Sequence, residues 1–461
     1  MFGKIFVRGF TVWWLTARAI CLFVLSKLGL RYLYWIATGR SNQYQPLTGA
    51  AIWRDYFERL GPTYIKFGQI IASSPGLFPE TLSHEFKKCL DRVPPFDLAE
   101  VQQIIVNELG KAPTELFREF NPVPIAAASI AQVHGAVLVD GTSVVVKVQR
   151  PRIADRIEAD LWFMHLGARI MERVSIHARH ANAVGIVEDF QQTLLCELDF
   201  LKEAANMDEF NTIMAKHHID RVKAPRVHHE LTTARVLTME RFYGFKADDI
   251  AEATRLGIDT EKNLRVGMRA WLLTVLLYGF FHGDVHAGNL MFLPQENQIG
   301  FLDFGIIGRF DNKQRELVVR YILAFAAEDW EEVAKTIIEM GSAPNSIDIS
   351  AFAADLKRIY APLLTTNLAA INYGAFLPEI TRNAMKFGVK LPRDFILIIK
   401  QLLYFDRYAK LAAPKLNVFN DIYLVDFMFT PAAQQAGLDM NKIMALLIKI
   451  QSLQTRNPVN M

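Results

Sequence analysis

The residues that can do chemistry lie mainly in the loop His282-Gly-Asp-Val-His-Ala-Gly-Asn289 and the triplet Asp303-Phe304-Gly305. Moving a γ-phosphate needs a divalent cation bridging phosphate oxygens, a cation on the α- and β-phosphates and a carboxylate that orients the nucleophile. Asp284 and Asn289 stand five residues apart, the interval between catalytic base and second metal ligand in the kinase pattern H-R-D-x-x-x-x-N. Asp303 follows after what reads as a short hairpin, where the metal-binding Asp of D-F-G belongs. Lys147 ends Val144-Val145-Val146-Lys147, which resembles the strand whose Lys reaches the α- and β-phosphates. Each element alone is common by chance, and a Lys on a Val-rich strand is often an edge gatekeeper. The four in order imply ATP and Mg2+ chemistry, with Asp284 and Lys147 catalytic and Asn289 and Asp303 as metal ligands. An ionised Asp303 between Gly300-Phe301-Leu302 and Phe304 is costly without a cation beside it.

Several further segments could serve this site. Where ordinary kinases carry G-x-G-x-x-G over the nucleotide, this chain has Ile125-Ala126-Ala127-Ala128-Ser129-Ile130-Ala131-Gln132-Val133. Alanine keeps the backbone N–H groups but restricts close approach and φ > 0, so the loop is expected to hold nucleotide in an altered pose. The adenine is expected at backbone groups near Met239 to Phe242, Glu240 included. Spacing alone leaves Lys66 either a site residue or a solvated helix residue, and leaves Glu197, Asp199 and Glu203 an acidic helix face. The paired histidines lack metal-site spacing, and His282 and His286 read as loop-stabilising.

The elements that must position these groups alternate along the chain. Helical patterns with Pro and Gly punctuation run from Leu47 to about Phe120; Asp97 with Glu100 is a capping-box pattern and Gly110 a stop. Two strands, from Ala131 and from Ser143, meet at Asp140-Gly141, a hairpin signal. Arg152 to His218 reads as helical, Ala234 to Glu240 as a strand, and everything beyond Asp311 as amphipathic helices. The expected class is α+β, a protein-kinase-like two-lobed fold with a small β-rich N-lobe and a helical C-lobe. The expected domains are a basic amphipathic segment over 1–40, a helical extension over 41–121, the N-lobe over 122–245 and the C-lobe over 246–461.

Together, Lys66-Phe67-Gly68-Gln69, the Ala126-Ala127-Ala128-Ser129 loop, Glu197-Leu198-Asp199-Phe200 with Glu203, the 282–289 loop and the 303–305 triplet resemble the UbiB family of atypical kinases. The likeness runs from about residue 50 to 330. Aminoglycoside and choline kinases share the loop type but not the Lys-x-Gly-Gln or Ala-rich motifs. The resemblance implies an N-terminal extension occupying the peptide-substrate position, with Lys66 reaching into the active site and catalytic there, and Gln69 a further residue of the family motif. It makes Glu197 and Asp199 an acidic pair near the nucleotide and Glu203 the helix partner of Lys147. It also implies an ATPase or kinase supporting ubiquinone biosynthesis, with quinone-biosynthesis proteins or prenylated quinone precursors as partners. A small-molecule kinase and a nucleotide-binding scaffold are the alternatives.

Composition limits the remaining classes. A net charge of +3 over 461 residues, with no basic run interleaved with aromatics, argues against nucleic acid. Three cysteines without C-x-x-C spacing suggest a reducing compartment. The first 54 residues hold seven Lys and Arg and no acid. Charges interrupt the stretch, which disfavours a simple spanning helix of about 20 apolar residues. Lys4, Arg8, Thr11 and Arg18 share one helix face, opposite aromatics, as in a helix lying on a lipid surface. Tyr32 to Ile36 add a second aromatic cluster, and the last 45 residues hold no spanning run. A membrane-associated protein is expected, at the cytoplasmic face of a bacterial inner membrane or, second, in mitochondria.

Overall fold

The computed structural model describes residues 2–28, 48–73, 78–89, 94–180, 182–341, 347–365, 373–412 and 421–435. The cluster from Tyr32 to Ile36 and most of the C-terminal 45 residues lie outside this set. The chain divides into two compact units, 1–201 with 228–239, and 202–227 with 240–461. The fold class is α+β, as expected.

The first unit is built on a four-stranded sheet in the spatial order 119–127, 131–137, 143–149, 236–240. The first three strands are antiparallel neighbours. Gly141, at φ 92°, closes the hairpin between the second and third, and the Asp140 carboxylate accepts from Thr142 N at 2.8 Å. Val144, Val146 and Val148 alternate inward against Val101, Ile105 and Phe117. The helix Leu98–Leu109 covers that face and stops at left-handed Gly110 as expected, while Asp97 occupies the N-cap without a side-chain capping bond. The strand Glu119–Ala127 was not expected: it carries Pro122 and Pro124, which the sheet tolerates because the strand is at an edge and its register shifts on either side of Pro124.

Other helices of this unit pack on one another. Phe2–Lys27 is one helix of 26 residues. Two members of its basic face, Arg8 and Arg18, are turned to the protein. Arg8 Nε meets Asp160 at 2.5 Å and Nη2 donates to Leu60 O at 2.6 Å, and Arg18 pairs with Asp55 at 2.9 Å. Asp160 is fully buried, so an unanswered carboxylate there would be expensive, and Arg8 is drawn to it. What faces solvent is the apolar side: Phe10, Trp13, Trp14, Ile20 and Val24 are about half exposed or more. By length and composition alone, Arg8–Lys27 is long and apolar enough to cross a membrane. Gly9 of this helix lies against Phe163 of the helix Ile153–Val174. That second helix buries Ile157, Leu161, Met164 and Ala168 and exposes Trp162, Leu166, Ile170 and Val174, four positions at i, i+4 spacing.

The second unit centres on the helix Thr260–Tyr278, buried along most of its length from Asn263, with Trp271 wholly enclosed. Gly279 at φ 63° ends it, and the chain enters the short strand Phe280–His282, which pairs antiparallel with Ile307–Arg309. Between them lies the hairpin Leu290–Leu293 with Gln298–Phe301, flanked by the two-residue strands Phe245–Lys246 and Val222–Lys223. Helices at 312–326, 330–340, 349–365 and 373–386 pack through Tyr321, Phe325, Trp330, Phe352 and Tyr360. The helix Arg393–Ala412 lies on Thr260–Tyr278, with Phe405 against Trp271 at 5.5 Å.

Candidate functional site

In the second unit, the loop after Phe280–His282 is held by His282. This imidazole is 1% exposed; Nε2 donates to Leu302 O at 2.8 Å while Nδ1 accepts from Asp284 N at 3.1 Å. Only the neutral ring protonated at Nε2 satisfies both bonds, and burial draws its pKa below the ordinary histidine range. One side chain thus joins the start of the loop to the residue before Asp303. The Phe304 ring stands edge-on to His282 at 5.0 Å and beside Phe210, and Asn206 Nδ2 donates to Phe304 O at 3.0 Å. Gly283 passes so close to Ile306 that an added Cβ would sit 2.9 Å from its methyl, which explains glycine between the two chemistry-bearing residues.

Asn289 Nδ2 donates to Asp284 O at 2.8 Å, and Leu302 N donates to Asn289 O at 2.8 Å. The amide nitrogen is therefore used inside the loop, which leaves the Asn289 amide oxygen as the natural ligating atom, one strand pair from Asp303. Asp303 has φ 56°, the left-handed region a non-glycine residue occupies at an energetic cost, and such residues gather at functional sites. Two hard oxygens suit magnesium, which takes one or two protein ligands and completes its shell with phosphates and water. Among the described residues no group of three His, Cys, Asp or Glu is arranged to hold a metal without such help.

Two contacts on Asp284 were not foreseen. Lys400 Nζ lies 3.6 Å from Oδ1 and His286 Nε2 lies 3.7 Å from Oδ2. The neighbouring Gln401, with no exposed surface, donates from Nε2 to Gly283 O at 2.6 Å and accepts at Oε1 from Val285 N at 2.8 Å, gripping the backbone on both sides of Asp284. Tyr408 adds a bond to Val285 O at 3.1 Å. The sequence signal was a Gln at a core position of an amphipathic helix, a buried amide that must have partners somewhere.

In the first unit, Lys66 Nζ lies 2.7 Å from the Glu197 carboxylate across 131 residues of sequence, and Glu197 is 7% exposed. Lys66 and Gln69 share the helix Pro62–Ser73. Gly68 between them is fixed by packing, because a Cβ there would meet the Phe86 ring at 2.7 Å. Asp199 Oδ1 accepts from Leu201 N at 3.2 Å, at the start of the helix Phe200–Lys216. Lys147 aligns with Val133 on the neighbouring strand and its ammonium lies 5.2 Å from the Phe200 ring.

The ABC1 atypical kinase-like domain matches residues 88–337, more than half of the chain, and the UbiB helical domain matches 356–417. The chain belongs to the UbiB family of atypical kinases. An uncharacterized aarF-domain protein kinase of the Arabidopsis thaliana chloroplast is 39% identical over 393 residues, 80% of this chain and 73% of that protein. An uncharacterized Mycobacterium tuberculosis protein is 40% identical over 373 residues, 80% of this chain and 76% of that one. The probable protein kinase UbiB of Azotobacter vinelandii is 32% identical over 413 residues, covering 88% and 74%. A solved Mycobacterium tuberculosis protein, in complex with erythromycin, aligns over 83% of this chain and 98% of its own at TM-score 0.47 and 23% identity.

Within this UbiB-family framework some expected nucleotide contacts move. Ala126 and Ala127 end the edge strand, so the turn shortens to Ala128, Ser129 and Ile130. Ala128 N donates to Ala131 O at 2.8 Å, and Arg150 Nε braces Ala128 O at 2.9 Å while Nη2 holds Pro94 O. Gln132 is not aimed at a nucleotide: it is 1% exposed, its Oε1 accepts from Phe96 N at 3.0 Å, and its amide nitrogen lies 2.9 Å from His134 Nε2. Alternation along the strand turns it inward, next to half-buried Val133. In the second unit the Glu240 carboxylate is committed to Lys223 at 2.7 Å and to Arg226 N at 3.2 Å, and its own N–H donates to Arg226 O. Its side chain is structural. Glu203 is buried in the first turn of the helix Phe200–Lys216.

Proposed function

We propose that this UbiB-family chain is a Mg-ATP-dependent kinase or ATPase that supports the biosynthesis of ubiquinone or a related isoprenoid quinone at a membrane. The observation that carries the ATP reading is the joining of Asp284, Asn289 and Asp303 through three hydrogen bonds, His282 to Leu302, Asn289 to Asp284 and Leu302 to Asn289, with Asp303 in a left-handed conformation. Asp284 accepts the proton of a hydroxyl or water as its oxygen bonds to the γ-phosphorus. The bond from that phosphorus to the bridging oxygen breaks, and its electron pair leaves with ADP. Asn289 and Asp303 would hold Mg2+, which would neutralise charge on the phosphates when bound. In the first unit, Lys147 is the candidate cation for the α- and β-phosphates, and the turn around Ala128 and Ser129 the candidate nucleotide-covering element. Lys66 and Glu197, together with Gln69 and Asp199, are the family-specific side chains of the first unit.

The membrane part rests on the inverted helix Phe2–Lys27, whose arginines point inward and whose Phe10, Trp13 and Trp14 point out, beside the exposed stripe Trp162, Leu166, Ile170 and Val174. Tryptophans at such an edge favour the headgroup region. The quinone part follows the UbiB relatives, and its partners would be quinone-biosynthesis proteins or prenylated precursors at the cytoplasmic face of a bacterial inner membrane. Deleting the gene, measuring membrane quinone and complementing with wild type, Asp303→Asn or a chain lacking residues 1–40 tests it. Quinone loss restored only by wild type is expected; normal quinone in the deletion refutes the biosynthetic role, and full rescue by Asp303→Asn refutes Mg-ATP chemistry.

A further inference from the structure

We infer that Lys400, on the helix Arg393–Ala412, is a positioning residue that fixes the carboxylate of Asp284 and supplies the positive charge beside it during phosphoryl transfer. The inference rests on the Mg-ATP reading above. Among the described residues, the groups within 4 Å of the Asp284 carboxylate able to carry positive charge are Lys400 at Oδ1 and His286 at Oδ2. His286 Nδ1 accepts from Gly288 N at 2.9 Å, so a neutral ring with its proton on Nε2 already satisfies that side. The ammonium of Lys400 is the fixed charge.

Its position is built in. Gln401, one residue on, is locked to Gly283 O and Val285 N, and Phe405 and Tyr408 anchor the following turns at Trp271 and Val285 O. A residue one step before Gln401 is therefore held at a set height and angle to the residue between Gly283 and Val285, which is Asp284. The Lys400 stem is three-quarters buried, and its ammonium also lies 5.5 Å from the Tyr404 ring, so the charge is confined between a carboxylate and an aromatic face. A carboxylate so paired is held in one direction, and a hydroxyl or water bonded to it lies close to the same ammonium as negative charge spreads over the transferring phosphoryl oxygens. Lys400 and Gln401 both fall within the stretch matched by the UbiB helical domain, so that domain completes the catalytic loop from outside the kinase-like segment.

The test uses the full chain in detergent or anionic vesicles with Mg-ATP, comparing wild type, Lys400→Met, Lys400→Arg, Asp284→Asn and the double variant Lys400→Met/Asp284→Asn. Lys400→Met is expected to lower kcat about 100-fold, the scale for removing one preorganised electrostatic group, with KM for ATP and the Mg-ATP thermal shift unchanged. Lys400→Arg is expected to recover at least about 10-fold of that loss, since the charge returns with altered geometry. In the Asp284→Asn background Lys400→Met is expected to add less than about 2-fold, because it acts through that carboxylate. Unchanged kcat in Lys400→Met, or a parallel loss of the thermal shift, overturns the inference and leaves the Mg-ATP reading standing. A wild-type chain that binds Mg-ATP without turning it over overturns that reading and the inference with it.

Discussion

Replacing Gln401 by Leu removes an amide that bridges two backbone groups of the catalytic loop while keeping similar volume. Gln401 is fully buried, and its side chain makes bonds of 2.6 Å to Gly283 O, 2.8 Å from Val285 N and 3.2 Å to Leu397 O. Leu397 O lies within a helix and keeps its helical partner, so two groups are orphaned. Each buried unsatisfied backbone group costs about 1–3 kcal/mol. Relief from burying an amide returns about 1–3 kcal/mol. The net expected loss is about 2 kcal/mol, equivalent to a fall of roughly 4–8 °C in the melting temperature of a unit this size. Thermal unfolding, followed with and without Mg-ATP, measures it. Turnover should fall with stability, because Gly283 and Val285 flank Asp284. Gln401→Glu separates the two bonds: it keeps the acceptor for Val285 N and sets a carboxylate against Gly283 O, so it should be the worse variant. A midpoint within about 1 °C of wild type, with unchanged turnover, would refute the reasoning that this amide holds the loop.

Three other perturbations follow from the same structure. Stability should decline as pH falls below about 6.5, because buried His282 and His134 and half-buried His217 all have pKa values depressed by desolvation. The unfolded chain then binds protons that the folded chain refuses, with a slope of up to about 1.4 kcal/mol per pH unit per histidine between the unfolded and folded values, and His282→Gln should flatten a urea-midpoint profile between about pH 7 and 5. Gly68→Ala should destabilise by about 1–2 kcal/mol in chemical denaturation despite the better helix propensity of alanine, since the new methyl meets Phe86, itself 1% exposed, at 2.7 Å. Lys66→Met should cost about 2 kcal/mol by taking the ammonium from the buried Glu197 carboxylate, and Glu197→Gln in the same chain should recover most of it; additive losses in that double-mutant cycle would show the pair to be uncoupled.

What the sequence determined by itself was a set of features encoded over short spans. The five-residue interval from Asp284 to Asn289, the hairpin before Asp303, the Asp140-Gly141 turn and the Gly110 stop all depend on local backbone chemistry, and each appears where the pattern placed it. Some local patterns were misassigned because period alone does not say which face has a partner. Gln132 reads as part of an Ala-rich loop until strand pairing turns it toward Phe96. The amphipathic pattern of Phe2–Lys27 was legible, but its orientation was set by Asp160 and Asp55, two acids more than a helix length away in sequence. Only the tertiary structure brought Lys66 to Glu197, Arg150 to Ala128, and Lys400 with Gln401 to the loop around Asp284. Those contacts join residues 22 to 131 positions apart, and no propensity or spacing encodes them. They arise because burying an amide or an ion requires a partner, and the packed core leaves each one place to find it.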